Sequence, residues 1–241
     1  MTKKIAVIND LSGFGRCSLT AAIPVIASMG VQPCPLPTAV LSAQTGYPSY
    51  YCDDYTDRME FIYREWEKME ARFDGIYTGF LSGEHQIKAV MEFLDIFYNR
   101  DTFLLVDPVM GDNGERFPIF TSCMEAEMKA LTSHADIITP NLTELCLLTG
   151  TDYRRVKGIT EERHLITAVE QMARILMSDG TGAVVVTGLR TINDETGQEM
   201  MGNLAVTKRD VSFSVRPFIG ESYSGTGDLF ASVVAGGIAR E

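Results

Sequence analysis

The sequence predicts an α/β fold, a mostly parallel central sheet covered by helices on both faces. Three observations predict it. Short β-branched runs recur along the chain, amphipathic helical stretches alternate with them, and the residues able to do chemistry cluster where the runs end. The 241 residues contain no repeat, low-complexity tract or Pro/Gly/Ser-rich linker, so residues 1–241 are expected to form one domain.

In order, the strand candidates are Lys4–Asn9, Ile76–Thr78, Phe103–Asp107, Ile137–Thr139 and Ala183–Thr187. Each is short and largely apolar, as strands buried on both faces are. Between them run stripes of helical period. Met59, Ile62, Trp66 and Met69 share one face, Ile87, Val90, Met91, Leu94 and Phe97 a second, and Leu165, Val169, Met172, Ala173 and Leu176 a third. These Met and aromatic positions read as core packing and not as a cofactor box. Near the end, Asn203–Thr207 and Val211–Arg216 alternate around Lys208-Arg209-Asp210, the pattern of an antiparallel hairpin at the sheet edge.

Composition narrows the function class. The chain is 45% hydrophobic and 22% charged, an ordinary globular balance. Its net charge of −11 argues against a nucleic-acid surface, so an anionic substrate must be drawn by backbone dipoles, a few cations and metal. No apolar run reaches the roughly 18 residues of a membrane span. The short apolar run Ile5–Ile8 lacks signal-peptide features, and a cytoplasmic location is expected. Cys17, Cys34, Cys52, Cys123 and Cys146 are odd in number and scattered, which fits buried thiols better than a disulfide framework or zinc site.

The most informative segment is Ser224-Gly225-Thr226-Gly227-Asp228, followed at once by the helical pattern Leu229–Ala235. Two glycines let the chain turn tightly, and the helix start then offers unpaired N–H groups and a partial positive charge, together an anion pocket. An acid in the first helical turn can simply complement the dipole. It can also stand beside a bound phosphate, placed to take a proton from an attacking hydroxyl.

Two further segments accompany it: Asp107-Pro108-Val109-Met110-Gly111-Asp112, and Ile137-Ile138-Thr139-Pro140-Asn141-Leu142-Thr143-Glu144. Taken in chain order, over nearly the whole chain, the three segments resemble the ribokinase superfamily and within it the vitamin-kinase branch of pyridoxal and hydroxymethylpyrimidine kinases. The resemblance implies a ribokinase-like three-layer fold with an antiparallel edge hairpin, ATP as co-substrate, Mg2+, and a homodimer. It implies that Gly225, Thr226 and Gly227 form the anion hole and that Asp228 is the base. Asn141, Thr187 and Gly188 would serve the nucleotide phosphates, and Glu144, Asp107 and Asp112 the metal. The family continues through at least one more helix, whereas this sequence ends at Glu241, so its C-terminal helices are expected to be shortened.

Residues 11–52 contain no acid and one base, Arg16, as suits either a buried strand–helix–strand unit or the lining of a pocket for a flat, weakly charged ring. By resemblance, Asp10, Ser12, Gln44 and Thr45 would bind the substrate ring. Thr45-Gly46-Tyr47 is similar to pyridoxal kinases, while Asp10-Leu11-Ser12-Gly13 and Ala43-Gln44 are closer to hydroxymethylpyrimidine kinases. Phe80 stands where many pyridoxal kinases have Tyr. Asp228 favours the pyridoxal side, because many pyrimidine kinases carry Cys there.

Other classes fit less well. Gly13-x-Gly15 lacks the third glycine of a dinucleotide fold, with Ser18 in its place and no following acid for a ribose. No Gly-Lys-Ser/Thr occurs, which excludes a Walker P-loop. His85, His134 and His164 lie away from the strand ends, so no histidine metal centre or Ser-His-Asp triad is suggested. A non-catalytic vitamin-binding protein would keep the ring pocket but has no need of Asp228 and Glu144. A sugar kinase would need a more polar and acidic stretch before Cys52.

Overall fold

The computed structural model describes residues 2–193, 195–220 and 223–241. The chain opens with β1 (Lys4–Phe14), α1 (Ser18–Ser28), β2 (Gln32–Ala43), β3 (Cys52–Asp54), α2 (Thr56–Lys68), β4 (Gly75–Thr78), α3 (Glu84–Phe97) and β5 (Phe103–Val106). It continues with β6 (Gly111–Asp112), β7 (Glu115–Arg116), α4 (Ser122–Ser133), β8 (Ile137–Ile138), α5 (Leu142–Thr149), α6 (Tyr153–Lys157) and α7 (Glu162–Ser178). Last come β9 (Ala183–Ile192), β10 (Glu199–Val206), β11 (Val211–Pro217) and α8 (Thr226–Ala239). The architecture is α/β with a large, mostly parallel sheet and an antiparallel hairpin. Two compact units divide it: the first holds the chain up to Asp107 and again from Tyr223, the second the residues between.

In the first unit the strand order is β5-β4-β1-β2-β3. β5, β4, β1 and β2 run parallel, and β3 pairs antiparallel with β2. Ile5, Ala6, Val7 and Ile8 are wholly buried because β1 has a strand on each side and cover on both faces. The pairing of β1 with β2 slips between Asn9 and Leu11, a bulge at the point where polar residues begin.

Strand β2 was not among the strand candidates, although the neutral stretch does contain the strand–helix–strand unit. Pro33, Pro35 and Pro37 demote it in a sequence reading. The structure accommodates them because β3 pairs with β2 only from Ala39 to Leu41, leaving the proline segment as an edge. Helices α2 and α3 close over a cluster of Tyr63, Trp66, Phe73, Phe93 and Phe97, with ring centroids 4.6 to 6.3 Å apart. Met69, expected on the α2 core face, is exposed: the helix ends at Lys68 and Met69 is its C-cap. Tyr63 takes the buried place instead.

The second unit holds β8 parallel to β9, then an antiparallel meander β9-β10-β11. The expected hairpin is therefore two strands of three, with β10 beginning earlier, at Glu199. Leu165, Val169, Met172, Ala173 and Leu176 of α7 are all buried, as their period predicts. Cys17 and Cys146 are buried, but Cys34 is half-buried and Cys52 and Cys123 are exposed, so only part of the thiol expectation holds. Among the described residues no helix is long and apolar enough to cross a membrane.

Candidate active site

In the first unit the carboxyl ends of β1, β4 and β5 lie side by side. The Gly79 N–H donates to the Ile8 carbonyl at 2.9 Å, and the Asp107 N–H to the Thr78 carbonyl at 2.8 Å. The start of α8 stands over them. Gly225 is its N-cap, in the left-handed region at φ 84°. A Cβ there would meet the Arg16 carbonyl oxygen at 1.9 Å, so glycine is required both by conformation and by close approach. Having no side chain, Gly225 cannot cap the first N–H groups, which leaves the turn Gly225-Thr226-Gly227 open to an anion. Thr226 donates its hydroxyl to the Tyr223 carbonyl at 3.1 Å. Gly227 lies beside Asp107, whose Oδ2 would be 3.9 Å from a Cβ at that position.

Asp228 is the third residue of α8. Part of its surface stays open, while its carboxylate is crowded on the inner side, and burial pushes it above the ordinary aspartate value. Bonds from the Ser18 N–H and from Asn9 oppose that rise, and the negative charge of Asp10 adds to it. Asn9 Nδ2 donates to Asp228 Oδ1 at 3.2 Å, and the Ser232 hydroxyl donates to the Asp228 carbonyl at 2.6 Å. An accessible but poorly solvated carboxylate is what a general base near neutral pH needs.

Asp10 and Ser12, also at the end of β1, are both buried, and Ser12 Oγ donates to Asp10 Oδ2 at 2.7 Å. Burial raises the Asp10 carboxyl, against the bonds it receives from Ser18 and Ser12. Gln44 follows β2; its N–H donates to the Phe14 carbonyl at 2.9 Å, and its side chain lies over Gly15. Thr45 is exposed in the next turn. The structure thus brings Asp10, Ser12, Asp107 and the Gly225–Asp228 turn to one group of strand ends. Gln44 and Thr45 sit further out, past Phe14.

The other candidates belong to the second unit. Asn141 is the N-cap of α5, accepting the Glu144 N–H at 3.0 Å, while Glu144 Oε2 accepts the Asn141 N–H at 2.7 Å, a reciprocal capping box. Glu144 Oε1 also accepts the Met110 N–H at 3.2 Å, and Asn141 Nδ2 donates to the Gly111 carbonyl at 2.9 Å. Thr187 pairs alongside Asn141, its N–H donating to the Pro140 carbonyl at 2.9 Å. Thr187 and Gly188 form a bulge opposite Asn203, whose Oδ1 accepts the Gly188 N–H at 3.1 Å. Asp112 is exposed, and its carboxylate accepts the Asn113 N–H at 2.8 Å.

Sequence reasoning missed three groups. Asn9 was placed as the last residue of an apolar strand, yet it is fully buried and bonded to Asp228. Ser18, at φ 50°, is a non-glycine residue in the left-handed region, and it bonds both Asp10 and Asp228. Tyr77 is fully buried, and burial, followed by the charges of Asp228 and Asp107, pushes its phenol well above the ordinary value. The one sequence signal for Asn9 and Ser18 was the appearance of polar residues beside Asp10 and Cys17 in an otherwise apolar stretch.

A parallel sheet whose strand ends face a glycine turn and a desolvated acid defines a phosphotransferase of ribokinase-like fold. The chain belongs to the phosphomethylpyrimidine kinase family, whose model matches residues 15–241. It is similar to a structure from Bacteroides thetaiotaomicron, provisionally named a phosphomethylpyrimidine kinase and crystallised with pyridoxal. That likeness has 39% identity and a TM-score of 0.88, and covers 100% of this chain and 81% of the other. The pyridoxal kinase of Lactobacillus plantarum matches with 27% identity and a TM-score of 0.84, over 100% of this chain and 81% of its own. In sequence, the pyridoxal kinase of Dictyostelium discoideum is 23% identical over 100% of this chain and 80% of its length.

Proposed function

We propose that residues 1–241 act as one kinase domain that passes the γ-phosphoryl group of ATP to the 5-hydroxymethyl group of a B6 vitamer. The observation that carries this reading is the Asp228 carboxylate, desolvated yet accessible, at the start of a helix whose N-cap is a bare glycine. The 39% identical relative crystallised with pyridoxal supports the choice of ring. The setting implied by the family resemblance is a homodimer in the cytoplasm.

In the reaction, Asp228 takes the hydroxyl proton as the substrate oxygen bonds to the γ-phosphorus. The bond from that phosphorus to the β–γ bridging oxygen breaks, and ADP leaves with the electron pair. The N–H groups of Gly225, Thr226 and Gly227 stabilise the equatorial oxygens. Asp10 and Ser12, with Gln44 and Thr45 further out, would orient the ring. Asn141, Thr187 and Gly188 would meet the nucleotide phosphates.

Magnesium supplies charge neutralisation on the phosphates when bound. The acids fit it, being hard oxygen donors of the kind it takes one or two at a time beside phosphate and water. Asp107, buried next to Gly227, and Asp112 would contribute directly. Both oxygens of Glu144 accept main-chain N–H groups, so Glu144 would act on the metal through its water and not as a direct ligand.

A second reading, a hydroxymethylpyrimidine kinase, is favoured by the family model. ADP formation with pyridoxal, pyridoxine, pyridoxamine and hydroxymethylpyrimidine separates the two. A B6 vitamer should give the highest kcat/KM. Turnover with the pyrimidine alone would replace the first reading by the second, and no turnover with any of the four would sink both in favour of a binding protein. Asp228→Asn should lower kcat by about 10²–10⁴ while pyridoxal still binds; near-full activity would remove Asp228 as the base.

A further inference from the structure

Asn9 makes more of its amide than burial alone explains. It is fully buried at the β1 bulge. Its Oδ1 accepts two main-chain N–H groups, from Asp10 at 3.0 Å and from Phe80 at 2.9 Å, which uses both lone pairs of that oxygen. The orientation of the amide is thereby fixed. Flipping it would set two N–H groups against an NH2, so Nδ2 must face Asp228 Oδ1. The chain also makes room for it. At Gly79 a Cβ would stand 2.3 Å from Asn9 Nδ2, so a glycine follows Thr78 where the amide passes. The loop it holds is tied from the far side as well, since Thr38 Oγ1 donates to the Phe80 carbonyl at 2.9 Å.

We propose that Asn9 is a positioning residue for phosphoryl transfer, fixing the Asp228 carboxylate in register with the strand that carries Asp10 and with the loop after β4. The inference rests on Asp228 being the base. A proton acceptor must stay within hydrogen-bond reach of the hydroxyl as attack develops, and small misplacements cost rate more than binding. Besides a bond from its own N–H, the Asp228 carboxylate takes bonds from two donors outside α8, Asn9 and the Ser18 N–H, and these tie its direction to the rest of the unit.

Asn9→Asp is the informative change. It keeps the shape and the oxygen that accepts the Asp10 and Phe80 N–H groups, and replaces only the donor facing Asp228. The expected result is a fall in kcat of about 10- to 100-fold, with KM for pyridoxal within about threefold. On an Asp228→Asn background the same change should cost less than about threefold, because the bond it breaks is already altered.

A kcat within twofold of the parent, or an equal loss on both backgrounds, would overturn the inference while leaving Asp228 as base. An Asp228→Asn enzyme with parental activity would overturn both. If Asn9→Asp does not fold, as read by thermal melting, Gly79→Ala carries the test, since its methyl would crowd the same amide out of its place. It should reproduce the kcat loss and its disappearance on the Asp228→Asn background, and an additive loss would count against the inference.

Discussion

Asp228 in the first unit and Glu144 in the second occupy the same place in their helices, the third residue, and live in opposite circumstances. Glu144 reaches back to its own N-cap, Asn141, and accepts the Met110 N–H with its other oxygen. Asp228 is held instead by Asn9 and Ser18 from another part of the unit, and its N-cap, a glycine in the left-handed conformation, has no side chain to cap the helix in return. A carboxylate that closes its own capping box contributes first to stability. One steered by donors from another part of the chain, with its charge opposed by burial, has the setting the proposed base requires. Helical position alone does not distinguish two such acids; the partners each carboxylate finds do.

The sharpest way to break the contrast is to alter that N-cap. Gly225→Ala puts a methyl 1.9 Å from the Arg16 carbonyl oxygen at a backbone angle costing a non-glycine residue about 1–2 kcal/mol. The turn must shift, and both the proposed anion pocket and Asp228 shift with it. A kcat loss beyond about 10²-fold, accompanied by a lower Tm, is expected. Unchanged turnover would mean that the turn does not hold the transferring group.

Glu144 is the counterpart. Glu144→Ala leaves the Asn141 and Met110 N–H groups without their charged acceptor and should cost about 2–3 kcal/mol by denaturant melting. Glu144→Gln, which keeps an oxygen for one of them, should cost about half as much. The magnesium requirement should rise along with the loss of stability. A raised requirement at parental stability would make the metal its first role and erase the contrast; an unaltered magnesium titration would leave only the cap.

How far the sequence revealed these two sites follows from the range of the interactions involved. The α7 stripe and the glycine turn of Gly225 and Gly227 are local patterns, legible because period and turn chemistry are set within a few residues. The Asn141–Glu144 capping box was equally local, and its Asn-x-x-Glu spacing was available as a helix-start signal. Asn9 was hidden because its partners, Phe80 and Asp228, lie 71 and 219 residues away. No spacing rule reaches that far. Strand β2 was hidden for another reason: its three prolines are tolerated only because the partner strand stops short of them, which is a property of the sheet and not of the segment.

The smallest expected effect has the opposite sign. Asp228 and Asp10 both hold protons more tightly folded than unfolded, because burial disfavours their charged forms. Between the ordinary aspartate value and the raised one, the unfolded chain therefore binds fewer protons, and stability falls as pH rises through that window. Above it the penalty is complete, so Asp228→Asn should melt a few degrees higher than the parent at neutral pH, whereas Glu144→Ala melts lower. With Asp228 as the proposed base, the same cause should set the acid limb of kcat above the ordinary aspartate range, which a pH–rate profile measures. Asp10→Asn, which removes a neighbouring negative charge, should move that limb to lower pH. A lower Tm for Asp228→Asn would show that the bonds from Asn9 and Ser18 outweigh burial, and that Asp228 supports the fold much as Glu144 does.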